Sequence, residues 1–380
     1  MSEPLKKPGS APEGYSPKDA PEIMKRLGDI KTRNPCEVKH ENGGSYIDGV
    51  PALRWGEWRD NTYIGCIAAV TEALGNPVSY ETLMGVSGIC YRFGLKVGLD
   101  PSSEIPQNGD VWDDQVCAAV GYEMYTIDNE RKRDKRARAC LDAGKPVLGL
   151  GLFADPEWEL LTGYDENSYF GRSYFHTQTP LSRRPLPDMP GGYLRAENYP
   201  GVHPKGFLRF FDKPCKKEEP VDLLKKSLEI CLAYWNHEAR ADNRFGEAAY
   251  RLLMKNLSKS DSAWAENCGC ANYHTGCLVD ARRSAYIYLR DSAPLLRGRN
   301  RAKLLEIAGA YQSIVEGILA ATPYEMLSGT WASGGGDVPE TWSRETRQGL
   351  AAALERAIET EKKIQLTVKD ILANWILDLM

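Results

Sequence analysis

The amino-acid composition changes near residues 213–220, and this change limits the possible folds more than any other feature. Before it, Gly, Pro and Tyr separate short β-like runs and short helices; after it, Ala, Leu, Glu, Lys and Arg recur at helical spacing with few helix breakers. A chain of 380 residues is too long to fold around one small hydrophobic core, so about two domains are expected. We predict an α+β domain at 35–215 and an all-α helical bundle at 219–380.

The remaining composition excludes several classes of protein. The polar, Pro-rich residues 1–34 predict a mobile leader without the apolar core of a signal peptide. A net charge of −4 offers no general attraction to nucleic acid or to an anionic membrane, and no run approaches the roughly 20 apolar residues of a membrane helix. Ten cysteines without a secretory signal indicate thiols in a reducing cytoplasm. We therefore expect a cytoplasmic protein with neither a nucleic-acid nor a membrane partner.

The segment NTYIGCIAAVTEALG (61–75) predicts a helix with clear start and stop signals. Residues 60–62 are of capping type, Gly75 ends the run, and apolar side chains recur at helical spacing at Tyr63, Ile67, Val70 and Leu74. SYETLMG (79–85) predicts a second short helix. ICYRF (89–93) is interpreted as a strand.

Cys66 in the first of these helices has two interpretations. A thiol in the first turn of a helix would have its pKa lowered by free N–H groups and the helix dipole, and Gly65 would let a substrate approach it. Alternatively, Cys66 borders the buried stripe, where apolar surroundings raise the pKa and leave the sulfur inert. The spacing alone leaves both open.

Further elements follow from periodicity and turn signals. Helices are predicted at 112–121 and 130–144, and strands at 122–127, 145–153 and 157–164, the last joined to SYFGRSYF by a GYDEN hairpin turn. In the second half, Pro220 stands at a predicted N1 position, and more helices are expected at 242–257, 277–292, 299–320 and 340–376.

The string NTYIGCIAAVTEALGNPVSYETLMGVSGICYRF (61–93), followed by GKPVLGLGL (144–152) and TGYDEN (162–167), resembles the butirosin biosynthesis protein H N-terminal family. That family is itself similar to C39-type papain-like cysteine peptidases. SYETLMGVSGICYRF is the most distinctive part, and the resemblance covers roughly residues 45–176. It implies a papain-like, C39-like fold for the first domain, in which a helix-borne cysteine attacks a carbonyl, a strand histidine removes its proton and an Asp or Asn orients the histidine.

Carried onto this chain, the resemblance places Cys66 at the nucleophile position, but the histidine position is not matched. That place holds Glu157, followed by Trp158 and Glu159. With an ordinary pKa about four units below that of a thiol, a carboxylate is a weak base for sulfur, and its charge would raise the thiol pKa. His176 is the candidate substitute base, and Asp165 is either its orienting partner or a builder of the hairpin turn.

A further cluster and the aromatic residues complete the candidate sites. CGCANYHTGC brings together Cys268, Cys270, His274 and Cys277, but its C-x-C spacing differs from the C-x2-C knuckle of zinc sites, so no metal is expected. The Gly-x-Gly of VLGLGLF lacks the third glycine of a dinucleotide fingerprint, and no cofactor is expected either. Trp158 and Tyr164 are candidates to line a ligand cleft, together with Glu157 and Glu159.

Two functional hypotheses follow. In the first, a C39-like domain without its catalytic histidine binds a small molecule or peptide in the former active-site cleft. In the second, Cys66 is the nucleophile of a cysteine-dependent acyltransferase or amidohydrolase, for which the family implies an acyl carrier protein as a further partner. The missing base favours the first hypothesis.

Overall fold

The computed structural model describes residues 35–41, 43–53, 58–99, 112–153, 157–174, 192–196, 207–237, 242–266, 268–322, 327 and 342–375. The predicted leader at 1–34 lies outside these residues. By its internal contacts the chain divides into two compact units. One contains residues 29–83 and 117–217 and is called the α+β unit; the other contains residues 84–116 and 218–380 and is called the helical unit.

The described part of the chain has mixed α and β structure with a helical C-terminal region. Its strands are β1 Glu37–Glu41, β2 Gly44–Asp48, β3 Gly94–Lys96, β4 Tyr122–Tyr125, β5 Val147–Leu150, β6 Trp158–Tyr164, β7 Tyr169–Arg172, β8 Leu194–Ala196, β9 Leu208–Pro214 and β10 Asn243–Phe245. Its α-helices are α1 Thr62–Ala73, α2 Tyr80–Val86, α3 Trp112–Val120, α4 Glu130–Asp142, α5 Pro220–Trp235, α6 Gly246–Leu257, α7 Asp261–Ala265, α8 Cys268–Ser292, α9 Gly298–Ala321 and α10 Arg344–Ala373.

The α+β unit is built on a curled antiparallel sheet. Its described strands follow the order β1-β2-β6-β5-β9-β4, and β7 pairs with both β6 and β8. β6 is the central strand, because it pairs with β2 and β7 towards Tyr164 and with β5 along its first half. Its five middle residues are buried, and α1 packs on β5 and β6. The start of β6 therefore lies beside α1, and its end lies at the β6–β7 turn.

The helical unit is held together by long helices around a buried ion pair. α9 packs against α8 and α10, and α10 also contacts α5 and α6. Arg282 of α8 and Glu361 of α10 are each 1% exposed, and the Arg282 Nε atom lies 2.6 Å from the Glu361 Oε1 atom. The pair connects α8 to α10, and removal of either partner would leave the other charge buried without its counter-charge.

One helix in the described residues, α9, is long and apolar enough to cross a membrane by length and composition. Core helices pass the same test. Its buried side chains, which include Ile307, Ile314 and Ile318, lie on the face that contacts α8 and α10.

Most predicted elements are confirmed. α1 begins and ends at the predicted signals, Ser79 Oγ accepts a hydrogen bond from the Thr82 N–H as the cap of α2, and Pro220 stands at the start of α5. The order of helices and strands from 112 to 172 is also as predicted, and mixed α and β structure with a helical C-terminal region is confirmed. The prediction that the region after residue 219 is all-α is wrong, because β10 at Asn243–Phe245 pairs with β3.

The prediction of a strand at 89–93 is wrong. Residues Ile89–Tyr91 form a 3-10 turn that follows Gly88, whose φ of 76° reverses the chain. The run is apolar because it enters the core of the helical unit, where the Tyr91 hydroxyl lies 3.1 Å from the Ser227 Oγ atom. Short apolar runs do not distinguish a buried strand from a buried turn. The predicted helix at 277–292 is also longer than expected and begins at Cys268.

Candidate functional site

The helix that carries Cys66 is capped one turn before the cysteine. The Asn61 side chain accepts a hydrogen bond of 3.0 Å from the Ile64 N–H, and the Asn61 N–H donates to the Tyr80 hydroxyl at 2.9 Å. With Asn61 as cap, Cys66 is the fifth helical residue and lies just beyond the first turn. The free N–H groups and the strongest dipole field therefore end before the thiol.

The Cys66 thiol is fully buried. Its residue is 0% exposed, and burial raises the pKa of the thiol well above its ordinary value, with the negative charges of Glu159 and Glu157 raising it further. A thiol in this environment is protonated at neutral pH and is a poor nucleophile. The structure thus places Cys66 in the buried position that the second interpretation describes.

Glu159 is the polar centre of this site. It is 0% exposed, and its Oε2 atom accepts hydrogen bonds from the Leu152 N–H at 2.6 Å and the Phe153 N–H at 2.9 Å. The Ser173 hydroxyl lies 2.5 Å from the other carboxyl oxygen. Burial raises the pKa of Glu159 to about 8, although these hydrogen bonds lower it. The side chain therefore ties the segment after β5 to the segment after β7.

The space above Gly65 is filled from within the protein. A Cβ atom on Gly65 would lie 1.8 Å from the Tyr174 hydroxyl oxygen, and this hydroxyl is 3.5 Å from the Thr62 carbonyl oxygen. Burial raises the pKa of Tyr174 well above its ordinary value. The expectation that Gly65 leaves room for a substrate is therefore wrong, because the glycine accommodates Tyr174.

Glu157 and Trp158 lie at the start of the same helix. The Thr62 hydroxyl donates to the Glu157 Oε2 atom at 2.9 Å. The ring of Trp158 meets that of Tyr63 edge-on, with centroids 5.3 Å apart. Three of the four predicted binding residues, Glu157, Trp158 and Glu159, are thus together with Cys66 at the start of β6.

The other predicted residues are not brought to this point. Asp165 builds the β6–β7 turn: its Oδ1 atom accepts from the Asn167 and Ser168 N–H groups at 2.9 and 2.8 Å, and its Oδ2 atom pairs with Arg195. Asp165 follows Glu159 by six residues, or roughly 20 Å along an extended strand. Tyr164 lies at the same far end, where its hydroxyl donates to Asp142.

No described histidine of the α+β unit lies at the Cys66 end of β6. His176 lies outside the described residues. His40 is exposed on β1 opposite Ser45, and Ser45 pairs with Tyr164 at the far end of β6. The described part of the chain therefore supplies carboxylates, and no imidazole, beside the Cys66 thiol.

The cysteine-rich segment of the helical unit is part of one helix. Cys268, Cys270, His274 and Cys277 all lie in α8, and the His274 Nε2 atom is 3.2 Å from the Leu99 carbonyl oxygen. Among the described residues, no group of three or more His, Cys, Asp or Glu side chains is arranged to hold a metal ion.

Sequence reasoning missed three residues of the site. The sequence indicates Ser173 and Tyr174 only as part of a strand, and it does not mark Arg209, whose guanidinium carbon lies 5.0 Å from the centroid of the Trp158 ring. No local motif marks them, since they reach the site through the pairing of β6 with β5 and β7 and of β5 with β9.

Comparison with models of known protein families gives no match to this chain. No curated protein matches its sequence.

The raised pKa of Glu159 predicts a pH dependence of stability. In the folded protein the carboxyl holds its proton up to about pH 8, whereas the ordinary value is 4.5. The folded state therefore binds more protons between these values, and this contribution to the free energy of unfolding is full below 4.5 and is lost as the pH rises towards 8. The decline is at most about 1.4 kcal/mol per pH unit.

Urea unfolding of the wild type and Glu159→Gln across this range measures the effect. Gln keeps an acceptor for the two N–H groups and a donor for Ser173, but it does not titrate. We expect the variant to have the flatter profile. Identical profiles would contradict the assignment of the slope to Glu159.

Proposed function

We propose that the α+β unit is a papain-like, C39-like domain of the butirosin protein H N-terminal type that no longer performs thiol catalysis. It binds a small molecule or peptide beside the start of α1 and β6. The observation that carries this proposal is the fully buried Cys66 thiol, whose pKa is raised by burial and by the neighbouring carboxyl groups of Glu159 and Glu157.

Two physical arguments support the loss of catalysis. A cysteine nucleophile requires a thiolate, and both burial and the two carboxylates disfavour the thiolate form. It also requires room for a carbonyl carbon next to the sulfur, and the Tyr174 hydroxyl occupies the position above the neighbouring Gly65. Neither feature is expected of a working acyltransferase.

The binding role is supported by the side chains that remain at this place. Trp158 and Glu157 are both half-buried, and ligand sites combine aromatic walls with a few polar groups. We propose a cytoplasmic protein without a nucleic-acid or membrane partner. The proposed ligand class is a small molecule or peptide, and an acyl carrier protein is a partner only if the cysteine-dependent acyltransferase alternative holds.

Alkylation of the native protein by iodoacetamide tests the state of the thiol. We expect Cys66 to react at least about tenfold more slowly than the half-buried Cys117 near neutral pH, because its thiolate is disfavoured and inaccessible. Peptide mass spectrometry over time gives each rate, and the fully buried Cys231 provides the lower reference. If Cys66 reacted faster than Cys117, the acyltransferase alternative would replace this proposal.

A further inference from the structure

An arginine stands among aromatic rings at the start of β6. The guanidinium carbon of Arg209, on β9, is 5.0 Å from the ring centroid of Trp158, 5.2 Å from that of Phe207 and 5.8 Å from that of Tyr63. Its Nη1 atom lies 3.3 Å from the sulfur of Met124. These five residues are called the Arg209 cluster.

The Arg209 cluster reaches the surface. Arg209, Trp158, Phe207 and Met124 are each half-buried, and Tyr63 is 3% exposed beneath them. A guanidinium held against rings is rigid and partly stripped of water, which strengthens its bond to an oxyanion. Its planar fork carries five N–H donors, so it can bind a carboxylate in addition to its contacts within the protein.

A second arginine in the same unit provides a contrast. Arg138 also stacks on rings, with its guanidinium carbon 4.5 Å from the Tyr164 centroid and 5.3 Å from that of Tyr169. It pairs with the Asp134 carboxylate at 3.4 Å and donates to the Asp165 carbonyl oxygen at 3.2 Å. Arg138 therefore fastens α4 to the β6–β7 turn, at the opposite end of β6 from the Arg209 cluster.

We infer that the Arg209 cluster binds the carboxylate of a small molecule that also carries a planar apolar group. Arg209 binds the carboxylate, and Trp158 and Phe207 contact the planar group. A planar monocarboxylate offers the cluster both a charge and a ring, whereas inorganic phosphate offers the charge alone. This inference rests on the proposed binding function and names its ligand class.

Titration of the full-length protein with matched probes tests the inference. The probes are 2-naphthoate, its neutral isostere 2-naphthamide, and inorganic phosphate, each followed by isothermal titration calorimetry. In the wild type we expect 2-naphthoate to bind at least about tenfold more tightly than the amide or phosphate, because only it combines charge and ring. Equal binding of naphthoate and naphthamide, or no binding of naphthoate, would overturn the inference.

Two arginine variants then locate the site. Arg209→Gln should weaken 2-naphthoate binding at least about tenfold and leave 2-naphthamide binding unchanged, whereas Arg138→Gln should change neither. Thermal unfolding of each variant checks its folding; if Arg209→Gln does not fold, the wild-type comparison of the three probes decides. An equal loss in both variants would refute the site.

The outcome separates this inference from the proposed function. If 2-naphthoate does not bind while Cys66 remains inert to iodoacetamide, only the ligand class is wrong. If Cys66 is alkylated rapidly, the non-catalytic assignment falls. Arginine-dependent naphthoate binding would then describe a substrate site.

Discussion

Glu361→Gln should lower the free energy of unfolding by about 3–5 kcal/mol, the largest effect we expect from one substitution. Glu361 is 1% exposed, and its carboxylate pairs with the equally buried Arg282 guanidinium at 2.6 Å. It also accepts hydrogen bonds from the hydroxyls of Tyr250 and Tyr311, at 3.1 and 3.4 Å. Gln keeps the size and one acceptor but leaves a buried cation without its counter-charge.

Urea unfolding followed by circular dichroism measures this loss. The matched control is Glu355→Gln on the same helix, where the carboxylate is 48% exposed and lies 3.4 Å from the 51% exposed Arg251. Such a surface pair is worth about 0–1 kcal/mol, so the control should differ little from the wild type. A cost below about 1 kcal/mol for Glu361→Gln would show that the buried pair does not stabilise the helical unit.

Gly65→Ala should destabilise the protein by about 3 kcal/mol, the second largest effect, although alanine favours helices by about 1 kcal/mol over glycine. The added Cβ would stand 1.8 Å from the Tyr174 hydroxyl oxygen and 3.2 Å from the ring carbon that bears it. Tyr174 is 2% exposed and has little room to move aside. The steric cost therefore outweighs the gain in helix propensity.

The combination with Tyr174→Phe isolates the cause. Without the hydroxyl the shortest contact is the 3.2 Å one to the ring, so Gly65→Ala in the Tyr174→Phe background should cost at least about 2 kcal/mol less than in the wild type. Gly309→Ala is the control, since no atom of the described residues lies within 4 Å of the place that a methyl group on this exposed helical glycine would take. It should stabilise the protein by roughly 0.5–1 kcal/mol. Equal costs of Gly65→Ala in both backgrounds would exclude the hydroxyl as the cause.

The local elements were predictable because their signals are local. Asn61 and Gly75 delimit α1, and Pro220 begins α5, since caps and breakers act within a few residues. The family resemblance places Glu157 to Glu159 at the histidine position, and the carboxyl groups of Glu159 and Glu157 raise the pKa of the Cys66 thiol. The apolar ICYRF run indicates that residues 89–93 are buried, but it does not indicate their backbone conformation. The strand prediction is wrong because a buried run is compatible with several backbone conformations.

The long-range contacts of the site were not predictable from one sequence. Tyr174 contacts Gly65, although the two residues are 109 positions apart in the sequence. Arg209 is brought near Trp158 because β9 pairs with β5 and β5 pairs with β6. Glu159 has the sequence surroundings of an ordinary strand residue, and its hydrogen bonds to Leu152, Phe153 and Ser173 depend on how β5, β6 and β7 pair. Their partners are set by the sheet, so only the folded chain reveals them.

The chain enters the helical unit, leaves it and returns to it, and this order limits when the helical unit can fold during synthesis. Residues 84–116 leave the ribosome before residues 117–217, yet they belong with residues 218–380. β3 cannot pair until β10 has been synthesised. The Cys90 carbonyl oxygen cannot accept its 2.9 Å hydrogen bond until Arg282 has been synthesised. A nascent chain halted near residue 217 would therefore hold these groups unmatched, and a fragment starting at 218 would lack them altogether.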